Sequence, residues 1–210
     1  MDGTAARPAR PGDPAATALA TADERFDYVH APTEVHEGGY FADPRAGDTQ
    51  YGLSQDFWDM ARRNRPAWAA LPARVTALDR ATVRRILRAE FYDVPGIDAL
   101  AGIGSILVTA PQLVQQVYDT AVLSGQPVAM RLLREAVAAV GAPSTPPKWR
   151  RIDKHAVADI ARILAQGRIV ALNDALVERR LAWLRGLPDA AKYPGWIRRA
   201  ESYRIAATRR

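Results

Sequence analysis

The chain has no cysteine among its 210 residues, which excludes disulfides, thiolate metal sites and a cysteine nucleophile. Histidine is scarce: His30, His36 and His155 show no HExxH spacing, so neither a metal nor another cofactor is expected. Long apolar runs are also missing. The longest, residues 103–110, is broken by Gly104, Ser105 and Thr109 and is far too short to span a bilayer. Residues 1–22 are rich in Ala and Pro, carry Arg7 and Arg10, and contain no uninterrupted apolar stretch of the secretory kind. Synthesis in the cytoplasm without a recognisable signal peptide is the expectation. Segments that alternate with the period of a strand do not exceed about five residues, which predicts a mainly α protein.

What is present is an ordinary soluble composition, 48% hydrophobic and 25% charged, with an uneven charge distribution. Residues 148–210 hold fifteen Lys and Arg against six Asp and Glu, a net +9, while the first 147 residues are net −3. Such a basic segment suits a polyanion: nucleic acid, acidic lipid or an anionic cell wall. Residues 1–22 offer little to pack and read as disordered. A helix is expected from about Asp23, interrupted or restarted at Pro32 and ending at Gly38-Gly39. Residues 40–54 read as a loop or short hairpin, Ser54 as the N-cap of the next helix, and 65–78 as a connector. Asp79 should cap a helix bearing Val83, Ile86, Leu87 and Phe91. A central buried helix is expected over 105–124, and another from Val128 to Gly141. The run GAPSTPP at 141–147 is the clearest internal boundary. Beyond it, helices are expected over 153–166 and 168–187, with a short last one after Gly195.

The chemistry concentrates at His36-Glu37-Gly38-Gly39-Tyr40 and, twelve residues after the Glu, Thr49-Gln50-Tyr51-Gly52-Leu53-Ser54. A carboxyl at a helix end, facing a Gly-rich turn, can act as the general acid of glycosidic cleavage, which needs a proton donor beside the leaving oxygen. The two glycines would let a sugar ring approach. Taken alone, Glu-Gly-Gly favours a salt-bridging Glu at a helix C-terminus with the two glycines as its cap.

The pattern extends further. Glu37-Gly38-Gly39-Tyr40, Asp43-Pro44 and Thr49 to Ser54, with ILRAEFY at 86–92 and Val117-Tyr118-Asp119-Thr120-Ala121-Val122-Leu123-Ser124-Gly125, closely resemble the signature of glycoside hydrolase family 108. Those enzymes are lysozyme-like N-acetylmuramidases of phage endolysins and holin-linked secretion loci. Residues 181–204, with Tyr193-Pro194-Gly195-Trp196-Ile197-Arg198-Arg199, resemble the peptidoglycan-binding module attached in that family. The resemblance implies a lysozyme-like helical domain with a hairpin insert over 23–145, then a small basic helical module over 148–206. It implies hydrolysis of the β-1,4 bond between N-acetylmuramic acid and N-acetylglucosamine, with Glu37 as acid and Thr49 across the cleft, where its hydroxyl positions water. Tyr40, Gln50 and Tyr51 would line the sugar subsites, or the tyrosines would pack the hairpin. Peptidoglycan is the expected partner and a holin the expected route of release, so that the enzyme acts in the periplasm or cell wall. No nucleic-acid motif accompanies the basic residues.

Two departures from the family pattern matter. The loop Arg45-Ala46-Gly47-Asp48 is about two residues short, so the second carboxylate is Asp48, Asp43 or neither. Leu123 stands where the family usually has Asn. A catalytically inactive peptidoglycan-binding protein of the same fold is the alternative reading. Asp119 is either a group at the cleft or a buried hydrogen-bond anchor below it. In the C-terminal module, Trp183 and Trp196 are expected in the core, although Trp196 could also stack on sugar. Arg198 and Arg199 are expected at the surface, facing anionic glycan. His36 is expected in solvent.

Overall fold

The structure, a computed structural model, describes residues 11–12, 19–37, 39–43, 47–141, 149–188 and 190–205; of Glu37, Phe41 and Asp43 only the backbone is described. It is mainly α, as expected. The disorder expected of 1–22 falls largely outside these residues, as does the boundary at 141–147 beyond Gly141.

Helix α1 (Ala22–Glu37) starts in a capping box. The Glu24 carboxylate accepts the Thr21 N–H at 2.8 Å, and the Thr21 hydroxyl accepts the Glu24 N–H at 3.2 Å. The first of these bonds holds the Glu24 carboxyl below its usual range. Contrary to the expected break, α1 runs straight through Pro32. Proline has no N–H, so the Tyr28 carbonyl one turn earlier loses its helical donor. The buried Gln115 side chain supplies a replacement, its Nε2 donating to Tyr28 O at 3.2 Å. The helix can therefore continue to Glu37.

The insert is a three-stranded antiparallel sheet of β1 (Tyr40–Asp43), β2 (Gly47–Gln50) and β3 (Leu53–Ser54) in that spatial order. The turn between β2 and β3 is Tyr51-Gly52, with φ of 49° and 85°. Two positive-φ residues between paired strands suit the right-handed twist of a tight hairpin. Ser54 caps α2 (Gln55–Asn64), and the Trp58 of that helix is wholly buried. Burying such a side chain contributes about 1.5–3 kcal/mol. The expected connector is partly ordered into α3 (Pro66–Ala69) and a 3-10 turn (Val75–Ala77), because Trp68, Val75 and Leu78 are drawn into the core.

Asp79 caps α4 (Arg80–Leu87), accepting the Thr82 N–H at 2.7 Å. The helix then widens into a π-turn (Arg88–Asp93). Glu90, Phe91 and Tyr92 of that turn all lie buried. Arg80, Arg84 and Arg88 pair with Glu34, Asp27 and Asp23 of α1, forming an antiparallel ladder of ion pairs between the two helices. At the surface such pairs each contribute little.

After α5 (Ile97–Ala101), the helix expected over 105–124 is two helices, α6 (Ile106–Thr109) and α7 (Pro111–Ser124). Pro111 cannot donate to the preceding turn, but it fits the first position of α7, where no donor is needed. Helix α7 is the centre of the molecule, buried continuously from Pro111 to Ala121. Helix α8 (Gln126–Gly141) packs on it. The last helices are α9 (Lys154–Ala165), capped by Asp153, then α10 (Ile169–Arg185) and α11 (Pro194–Glu201).

The apolar residues of α9 and the first half of α10 join the same hydrophobic cluster as α1, α4 and α7. A smaller cluster at the far end unites Val177, Leu181, Leu184, Ala200 and Tyr203. Polar seams reinforce the contact. Ile152 N–H donates to Pro95 O at 2.8 Å, and Arg134 donates to Trp149 O at 2.8 Å. Gly96, at φ 79°, lies so close that an added Cβ would be 2.4 Å from Ile152 O. Only glycine fits that crossing.

Candidate functional site

Position 37 is the last residue of α1, and β1 begins three residues later. Helical spacing makes it the next place in the stripe Phe26, His30, Thr33, three residues that are buried against the centre of the molecule. Tyr51 N–H donates to Gly39 O at 3.1 Å, which folds the hairpin turn back onto the segment leaving the helix. The sequence places a carboxyl where buried helix gives way to hairpin.

The strand register sorts the other residues proposed for the chemistry. Tyr40 pairs with Gln50, Phe41 with Thr49, Ala42 with Asp48 and Asp43 with Gly47. Cross-strand partners share a face and neighbours along a strand alternate. Thr49 and position 43 therefore belong to one face, and Asp48 belongs to the other with Tyr40 and Gln50. The bond from Tyr40 Oη to Asp48 Oδ1, at 2.8 Å, agrees with this division. That bond raises the Tyr40 phenol above its ordinary value. Tyr40 is 60% exposed and able to meet a ligand, and Gln50 is half-buried.

Tyr51 is half-buried in a left-handed conformation that costs a bulky residue about 1–2 kcal/mol. It lines a shallow depression with His30, Glu34 and Arg80. The Arg80 guanidinium lies 5.9 Å from the Tyr51 ring centre, and its Nε is 3.0 Å from Glu34 Oε1. His30 forms the floor, its Nδ1 2.9 Å from Tyr118 Oη. Burial pushes His30 down to about 4, so it is neutral near pH 7. His36, expected in solvent, is half-buried.

Asp119 and Arg199 lie together, but away from solvent. Asp119 is wholly buried on α7 and accepts from the Thr33 hydroxyl at 3.0 Å, from Arg199 Nη2 at 2.6 Å and from Arg180. Burial by itself would push its carboxyl up. Arg199 and Arg180 outweigh that and hold it well below the usual carboxylate range. Asp119 thus has no surface for a sugar, and Arg199, expected to face glycan, turns its guanidinium inward. The reason is electrostatic: a buried carboxylate needs opposite charge and donors around it. Trp183 and Trp196, expected in the core, are both half-buried. The Trp196 ring stacks on Tyr193, centroids 4.3 Å apart and planes 13° from parallel. Arg198 is exposed.

Sequence reading missed Thr33, Gln115 and Arg180. A signal existed for Gln115. Gln112, Gln115, Gln116 and Asp119 make a polar stripe at helical spacing on an otherwise apolar helix, and buried polar groups require partners. Pro32 also implies an orphan carbonyl at Tyr28 that something must satisfy. Nothing in the sequence marks Arg180 among so many arginines. Among the described residues, no group of three or more His, Cys, Asp or Glu side chains could hold a metal ion, and no helix is long and apolar enough to cross a membrane.

Residues 31–125 match the family model described as Glycosyl hydrolase 108. No curated protein matches the chain. Among solved structures, that of Brucella abortus SagA is similar, with a TM-score of 0.65 at 22% identity over 87% of this chain and 93% of that one. At that identity the likeness concerns the fold. Its extent carries it past residue 125 into the C-terminal helices.

Proposed function

We propose, on the footing that residues 31–125 match the Glycosyl hydrolase 108 family model, that the protein is a lysozyme-type peptidoglycan hydrolase. It cleaves the β-1,4 bond between N-acetylmuramic acid and N-acetylglucosamine, with Glu37 as the general acid. The observation that carries this reading is the position of a glutamate at the C-terminal end of a core helix, opening onto a short antiparallel sheet. The partial negative charge of a helix's last carbonyls favours a neutral carboxyl over an ionised one. Neutral is the form a general acid requires.

In the proposed reaction, Glu37 gives its proton to the bridging oxygen as the bond from that oxygen to the muramic anomeric carbon breaks. Water adds to the anomeric carbon, and its proton passes to a second group. Thr49 and position 43 share a face of the sheet, and Asp48 with Tyr40 occupies the other. Thr49 is the group assigned to orient water, and Asp43 or Asp48 is the candidate second carboxylate. Peptidoglycan is the substrate, the cell wall the site of action, and a holin the route of release. The exposed Tyr40 and the Tyr193–Trp196 stack offer aromatic faces for sugar rings.

Purified wild-type protein should release muropeptides with muramic acid at the reducing end, identified by mass spectrometry. Glu37→Gln should lose about 10²–10⁴-fold in rate, the range of general acid–base catalysis, while wall pull-down and thermal unfolding stay as in wild type. If both proteins bind wall and neither cleaves it, the chain is a binding protein on a hydrolase fold. Glucosamine reducing ends would instead refute the muramidase assignment.

A further inference from the structure

We propose that Asp119 and Gln115 of α7 are positioning residues that fix the last turn of α1, and hence Glu37, and that Arg180 and Arg199 of the C-terminal helices hold Asp119 in place for this. The proposal rests on the reading of Glu37 as the acid. It gives the basic C-terminal helices a part in catalysis as well as any part in wall binding.

Pro32 leaves α1 with a missing rung five residues before Glu37. A proline in a helix interior weakens or kinks it at that point, so the direction of the final turn is not secured by the helix alone. Two side chains of α7, spaced one turn apart, meet α1 on either side of the proline. Gln115 Nε2 occupies the carbonyl of Tyr28, and Asp119 Oδ1 takes the hydroxyl of Thr33 at 3.0 Å. Thr33 and Glu37 are four residues apart, hence neighbours on one helix face. Asp119 can serve as a fixed anchor because it is itself immobilised. Arg199 approaches it through Nε at 2.9 Å and Nη2 at 2.6 Å, and Arg180 from a fully buried position. The Arg180 guanidinium lies 5.4 Å from the ring centre of Tyr203, which closes the network on the C-terminal side. The chain of contacts runs from α10 and α11 through α7 to the helix that carries the acid. A placement error of about 1 Å at a reacting group can cost a hundredfold in rate, so such a clamp has catalytic consequences.

Thr33→Val in the full-length protein keeps the side-chain shape, removes the hydroxyl and leaves Asp119 paired with both arginines. Amide exchange at residues 34–37 should rise about fivefold, the equivalent of one lost hydrogen bond, with α7 amides unchanged. On peptidoglycan, kcat should fall about fivefold to tenfold with KM and wall pull-down within about twofold. Thr33→Ser should restore both readouts. Gln115→Met, which removes the other rung, should give the same signature. The proposal is overturned if exchange at 34–37 does not change, if Ser fails to rescue, or if kcat per folded molecule is kept while only the unfolding midpoint drops. A wild-type protein that cleaves no peptidoglycan would overturn the hydrolase reading instead, and amide exchange would still decide the clamp.

Discussion

The hairpin beside Glu37 and the network around Asp119 are both polar, and they are built on opposite terms. The hairpin consists of strands of four, four and two residues, and its tyrosine Tyr40 is 60% exposed and bonded to the Asp48 carboxylate. In the network, Asp119 and Arg180 have no exposed surface at all, and every group on the Asp119 carboxylate comes from a different helix. Exposed polar groups exchange partners with water at little cost, whereas buried ones must be satisfied by the fold. Changes in the exposed groups of the hairpin are therefore expected to cost the fold little. Those in the network are expected to cost it much more. The proposed chemistry falls on the tolerant side and the proposed orientation on the strict side.

The strongest way to break this contrast is Asp119→Ala. Removing the carboxylate leaves Arg180 buried without its counter-charge, and the loss should be about 3–5 kcal/mol, measured by urea unfolding. A loss below about 1 kcal/mol would mean that the network is not a structural anchor. Acid acts on the same interior more gently. Burial holds neutral His30 down at about 4, against an ordinary value near 6.5 in the unfolded chain. Its folded-state value is depressed, so its stabilisation is complete above about pH 6.5 and is lost as pH falls towards 4, a change of roughly 2–3 kcal/mol. Urea midpoints at pH 7.5 and 4.5 should differ accordingly, and His30→Gln should remove most of that difference. The Asp119 carboxyl, depressed further, keeps its contribution throughout this window. Least effect is expected from Tyr40→Phe on the hairpin. The unfolding midpoint should move by less than about 2 °C, and a larger drop would show the hairpin to be a stability element after all.

Much of the local structure was legible. The caps at Ser54 and Asp79 are each a short polar side chain ahead of an apolar-periodic run, and local chemistry suffices to place them. The loop or short hairpin over 40–54 was legible from the turn formers Pro44, Gly47 and Gly52. Other features were not. The break before Pro111 looked like continuous helix, because apolar periodicity does not register one missing donor. The continuity of α1 through Pro32 was hidden for the opposite reason: the compensating donor, Gln115, lies 87 residues from the carbonyl it satisfies. Within the candidate site, Glu37, Thr49 and Asp48 could be picked out from their motif. Which face of the sheet Thr49 and Asp48 each occupy came from the strand register.

By itself the sequence determined the mainly α class, most helix starts, the short hairpin and a glutamate at the end of the helix before it, because periodicity and capping act over a few residues. Tertiary structure decided what Asp119, Arg199 and Arg180 do. Their roles depend on burial and on partners 61 and 80 residues apart in the chain. A carboxylate in water and one enclosed by two guanidinium groups have the same letter in a sequence, and only the fold supplies the surroundings that distinguish them.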